Sequence, residues 1–134
     1  PCSRFFIRRL SSGRLLMINH YKFSHRIDLD DIMRQGNVKR WQGRSHLTAM
    51  LSEDDGATWP YTLLLDERDE VSYPDAKEAD DGYIYVTYDH QRVTKREILM
   101  ARFTEQDILA GRLQSSRSTL RILVNKALGQ PDIH

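Results

Sequence analysis

The octapeptide Ser52-Glu53-Asp54-Asp55-Gly56-Ala57-Thr58-Trp59 reads S-x-D-x-G-x-T-W, and each of its five fixed positions meets a demand of one tight β-hairpin turn. Ser52 and Asp54 can fold their side-chain oxygens back onto free backbone N–H groups. Gly56 supplies a positive φ, and Thr58 and Trp59 restart a strand with a large apolar anchor. A chain carrying this turn is committed to antiparallel strands on either side of it. The residues themselves hold a turn and perform no chemistry.

The flanking sequence supplies those strands. Arg4 to Leu10, the turn Ser11-Ser12-Gly13 and Arg14 to Tyr21 read as a hairpin. After a polar stretch from Lys22 to Ser45, His46 to Leu51 alternates toward the octapeptide and Tyr61 to Leu65 follows it, which makes four strands. The pattern then restarts with Tyr73 to Ala79, the turn Asp80-Asp81-Gly82, the aromatic strand Tyr83 to Tyr88, and Glu97 to Phe103. Thr104 opens a short helix as its N-cap, with Asp107 three residues on and Gly111 as the stop; the helix is expected to be peripheral. Leu120 to Val124 is either the missing outer strand or a closing strand from a neighbouring unit.

Bulk properties narrow the partners. Twenty basic residues against nineteen acidic ones leave a net charge of +1, which argues against binding nucleic acid or an anionic membrane by bulk charge. Cys2 is the single cysteine, so an internal disulfide and a thiolate metal cluster are both excluded. The five histidines show no H-E-x-x-H spacing, and neither a metal nor another cofactor is expected. No apolar run approaches the length of a membrane span.

The octapeptide resembles the Asp-box of sialidase-like (neuraminidase, BNR-repeat) β-propellers, where it joins the third and fourth strands of a blade. Gly43-Arg44-Ser45-His46-Leu47-Thr48 and Ser72-Tyr73-Pro74-Asp75-Ala76, with the following Asp81-Gly82, resemble sialidase active-site segments in order and spacing. The resemblance implies an all-β chain of roughly two blades from a six-bladed propeller: residues 1–66, then 71–103, with a helix and closing tail over 104–134. Two blades cannot close a ring. The chain therefore reads as the C-terminal part of a longer propeller, its partners being the remaining blades or another copy of itself.

Because the strands alternate in direction, the octapeptide fixes the two ends of the barrel. It shares one end with the turns at Ser11 to Gly13 and Asp80 to Gly82. Arg4, His20, the connection through Arg44, the start of the next blade at Tyr73, and Asp89, His90 and Arg92 share the other, a natural concave ligand site. The resemblance makes Arg44 the last arginine of a carboxylate clamp and Tyr73 the nucleophile of a retaining exo-glycosidase, with Asp75 beside it. It also puts Arg4 where a sialidase has its glutamate and His20 where it has its middle arginine. Arg4 cannot act as a base; His20 can, or can hydrogen-bond a hydroxyl. Trp41, among the arginines of the long connection, is placed to stack on a sugar, and His90 and Arg92 are either rim contacts to ligand or loop hydrogen-bonders. The expected activity is hydrolysis of a terminal, possibly acidic sugar in a secreted or periplasmic setting. A non-catalytic glycan-binding or interaction propeller is the alternative.

Overall fold

In a computed structural model, residues 3–21 and 44–128 are described, and they form two four-stranded antiparallel sheets and one short helix. The first sheet is a meander of β1 (Phe6–Arg9), β2 (Leu15–His20), β3 (Leu47–Ser52) and β4 (Tyr61–Asp66). The second runs β5 (Val71–Glu78), β6 (Tyr83–His90), β7 (Glu97–Thr104) and β8 (Thr119–Lys126). The run from Leu120 to Val124 thus completes the second sheet, with Leu99 opposite Leu123 and Met100 opposite Ile122. Each sheet is a propeller blade in its connectivity. β1 lies against β5 and β4 against β8, so the two sheets stack with their strands in step.

Period-two alternation decides which face is covered. Leu16 and Ile18 of β2, Leu47, Ala49 and Leu51 of β3, and Leu63 and Leu65 of β4 meet Val71, Ile84, Val86, Tyr88, Leu99 and Phe103 in one core between the sheets. Full burial of each large side chain contributes about 1.5–3 kcal/mol.

The Asp-box turn is built as its residues demand. Ser52 Oγ donates to Asp54 Oδ1 at 2.8 Å and accepts from Gly56 N at 2.8 Å, while Asp54 accepts from Thr58 N at 2.8 Å and Thr58 Oγ1 at 2.5 Å. The Thr58 hydroxyl and amide, followed by the Ser52 hydroxyl, hold the Asp54 carboxyl at about 2. Gly56 has φ +90°, and the Trp59 ring stands 3.6 Å from where its Cβ would be. Strand pairing resumes at Tyr61, the expected start of the fourth strand. Pro60 just before it has no N–H to give the ladder.

The second sheet replaces this turn with helix α1 (Glu105–Ala110). Asp107 takes over the role of Asp54: its carboxylate accepts from Gln114 N at 2.6 Å, Ser115 N at 2.9 Å, Thr104 N at 2.9 Å and the Ser118 hydroxyl. The helix sits at the end of the sheets, as a peripheral element does, but it reaches back over β3 and β4 and buries Ile108 completely in the core. The β1–β2 turn ties the same end together, since Ser11 donates to Glu78 through both N (2.8 Å) and Oγ (2.6 Å) and Ser12 Oγ donates to Glu105 at 2.5 Å.

At the opposite end one buried carboxylate spans the sheets. Asp66, the last residue of β4, is fully buried; it accepts from Arg68 Nε at 2.9 Å and Arg68 Nη2 at 2.7 Å, and from the Tyr88 hydroxyl of β6 at 2.9 Å. Burial pushes its pKa up, but the hydrogen bonds from Arg68 and Tyr88 outweigh this and leave it lowered.

Candidate functional site

The end away from the Asp-box is organised by the first residue of β5. Val71 N donates to Arg44 O at 3.0 Å, and Val71 O accepts from His20 Nε2 at 2.6 Å. One bond comes from the last residue of β2 and the other from the segment leading into β3, so the start of the second sheet is pinned by its neighbour. His20 is buried, and its Nδ1 has no partner among the described residues. Burial pushes its pKa below the ordinary 6.5; the bond to Val71 opposes this, and the Arg44 charge adds to it. Neutral His20 is therefore the folded form. Because the folded pKa lies below the unfolded one, its contribution to stability is complete above pH 6.5 and is lost as pH falls toward the lowered value. Urea unfolding at pH 7.5 and 5.5 is expected to show a drop in wild-type stability that His20→Asn removes in part; an identical drop in both proteins would contradict this reading.

Beyond Val71 the ladder is interrupted. Val71 and Ser72 pair with His90 and Asp89, the register then shifts, and pairing resumes at Asp75 opposite Thr87. Tyr73 occupies the irregularity with φ +54°, and the residue is 41% exposed. Bulges of this kind re-aim a side chain, and here the phenol is turned out to solvent. Of the seven non-glycine residues with positive φ among those described, His46, Glu70, Tyr73, Gln91 and Arg96 stand at this end. Such strain gathers at functional sites.

Two cations converge on the phenol. The Arg44 guanidinium lies 5.8 Å from the Tyr73 ring centroid and that of Arg92 4.5 Å away. Arg44 is buried, whereas the Arg92 side chain is 49% exposed. Arg92 Nε pairs with Asp89 Oδ2 at 3.2 Å, and Asp89 Oδ1 accepts from Ser72 Oγ at 2.6 Å, so a chain from Ser72 through Asp89 sets the position of Arg92. Arg44, Glu70, Ser72, Arg92 and Val93 line an open pocket of about 350 Å³ beside them.

The other expected site residues are distributed as follows. Asp75 is exposed, and its Oδ1 accepts from Ala76 N at 3.0 Å. Arg4 is exposed just ahead of β1 at this end. His90 is buried and bonds Glu97 Oε2 through Nδ1 at 2.7 Å, a cross-strand pair rather than a pocket wall. Trp41 lies outside the described residues, as do Arg26, Arg34 and Arg40. Sequence reasoning missed Glu70, Ser72 and Val93 as pocket walls. Ser72 was within reach of it, because counting back along both strands from the Asp80 to Gly82 turn leads toward Asp89. Glu70 and Val93 are loop residues with no pattern to mark them.

The BNR repeat-like domain matches residues 3–86, well over half of the chain. The chain belongs to that family. The match runs from the strand that opens the first blade, through the Asp-box and Tyr73, into β6, and it supports the sialidase-like, Asp-box assignment. No curated protein and no solved structure matches the chain. What a BNR scaffold provides here is the two-ended blade: turns locked by Asp54 and Asp107 at one end, and the Arg44, Tyr73 and Arg92 grouping at the other.

Proposed function

We propose that this chain is part of a sialidase-like exo-glycosidase that releases a terminal, acidic sugar with retention of configuration, using Tyr73 as nucleophile. The observation that carries this reading is the exposed Tyr73 phenol on a strained bulge beside the pocket, with the guanidinium groups of Arg44 and Arg92 over its ring. In the first step Tyr73 Oη bonds to the anomeric carbon and loses its proton to a base as the glycosidic bond breaks. Glu70 is the carboxylate of the pocket wall suited to take that proton. The departing oxygen takes a proton from an acid supplied outside the described residues. Water then attacks the same carbon and restores the phenol, so two inversions give net retention.

A second reading, a glycan-binding propeller without hydrolysis, draws on two features: exposed Arg4 cannot serve as a base, and His20 Nε2 is engaged with Val71 O. One experiment separates the two. Aryl glycosides, including a sialoside and a glucuronide, are incubated with the protein and followed by proton NMR. The glycosidase reading expects the first-formed free sugar to keep the anomeric configuration of its glycoside. An inverted product, or no release from any glycoside, would contradict it.

A further inference from the structure

We propose that Asp89 is the positioning residue of Tyr73, holding the backbone of the bulge through Ser72 and the phenol ring through Arg92. The ladder itself leaves this stretch unheld. β5 pairs with β6 at Val71 and Ser72 and again from Asp75, so pairing skips Tyr73 and Pro74, and Pro74 has no N–H to donate. Tyr73 keeps φ +54°, a conformation that persists in a non-glycine residue only where its surroundings over-determine it.

Upstream, backbone bonds do the fixing: Gln91 N donates to Glu70 O at 2.9 Å and Val71 N to Arg44 O at 3.0 Å. From Ser72 onward side chains take over. Ser72 is buried, and its Oγ donates to Asp89 Oδ1 at 2.6 Å. The second carboxylate oxygen, Oδ2, pairs with Arg92 Nε at 3.2 Å, and the Arg92 guanidinium lies 4.5 Å from the Tyr73 ring centroid. Because Ser72 and Tyr73 are neighbours in the chain, these four residues close a loop, from hydroxyl to carboxylate to guanidinium to ring and back along the backbone. Asp89 joins its two halves, and an ionised carboxylate suits that place because each oxygen accepts from a different neighbour. It is not one of the pocket's wall residues, and it acts on the ring through Arg92 rather than on a ligand.

Links in series give losses that do not add. Ser72→Ala releases Asp89, and Asp89→Asn leaves one acceptor oxygen for two donors, so either break frees the same ring. The first readout needs no substrate: the full chain is labelled with fluorotyrosine, and the fluorine NMR line of Tyr73 is the one lost in Tyr73→Phe. Each single variant is expected to move that line toward its position in the urea-unfolded protein. The line of Tyr83, whose ring carries the Arg117 guanidinium at 4.3 Å at the other end of the sheet, is expected to stay in place and reports that the variants fold. The double variant is expected to move the Tyr73 line no further than the larger single shift.

The catalytic consequence rests on the glycosidase reading. In each single variant kcat on the best glycoside is expected to fall about tenfold to a hundredfold with KM nearly unchanged, and in the double variant by the larger of the two losses rather than by their product. A Tyr73 line that stays put in both single variants overturns the proposal. So do shifts or losses that simply combine in the double variant, and so does a shifted line with undiminished kcat. A shifted line in a chain that releases sugar from no glycoside would uphold the positioning and overturn the glycosidase reading alone, whereas hydrolysis with an unmoved line would overturn this proposal alone.

Discussion

Tyr73→Phe is expected to lower kcat/KM on the best glycoside by at least about a thousandfold, roughly 4 kcal/mol of transition-state stabilisation. The substitution removes one oxygen and keeps the ring. The packing of the Arg44 and Arg92 guanidinium groups over that ring, at 5.8 Å and 4.5 Å, is therefore preserved. Tyr73 is exposed, so no buried partner is orphaned, and the stability is expected to stay within the range of a neutral surface change, about 0.5 kcal/mol. Loss of activity at constant stability is the signature of a reacting group. A merely structural tyrosine would show the opposite, a lowered melting temperature with turnover retained. Steady-state kinetics and a thermal melt on the same preparation distinguish the two.

Asp66→Ala is the largest expected effect on stability, about 3 kcal/mol. Asp66 is fully buried at the end of β4, and its carboxylate receives three bonds from Arg68, through N, Nε and Nη2, and one from the Tyr88 hydroxyl. Removing it strands the Tyr88 hydroxyl in the core and leaves Arg68 without its partner. Arg68 is 36% exposed and can turn toward water, which keeps the cost at the lower end of the range for a broken buried pair. Tyr88→Phe, which leaves the Arg68 pair intact, is expected to cost about 1 kcal/mol. Urea unfolding measures both. Equal costs for the two variants would show that the Tyr88 bond, not the ion pair, holds this junction between the sheets.

The strands and the Asp-box were legible because their causes are local. A turn that needs Ser, Asp, Gly and Thr at set spacings announces itself, and alternation along β2 and β6 marks the covered face. From there the direction of each strand sufficed to bring Arg44, Tyr73, Asp89 and Arg92 to one end. What the sequence did not carry was anything set by two segments meeting. The six residues of α1 signal their caps clearly, with Thr104 and Asp107 in a reciprocal box, but no period in so short a helix says that Ile108 will be sealed against the first sheet. The bulge at Tyr73 is likewise invisible, since it arises where the β5–β6 register shifts between Ser72 and Asp75. His90 illustrates a third limit. Its position at a strand end suited a rim contact equally well, and only the cross-strand neighbour Glu97 turns it into a buried pair.

The most direct measurement is covalent trapping. A 2-fluoro or 3-fluoro sugar fluoride matched to the best glycoside slows the second step of a retaining reaction more than the first, so the glycosyl-enzyme accumulates. After digestion and mass spectrometry, one added sugar is expected on the peptide that contains Tyr73, with no adduct in Tyr73→Phe. Turnover of the unmodified glycoside with the adduct on any other residue, or with no adduct at all, would contradict it.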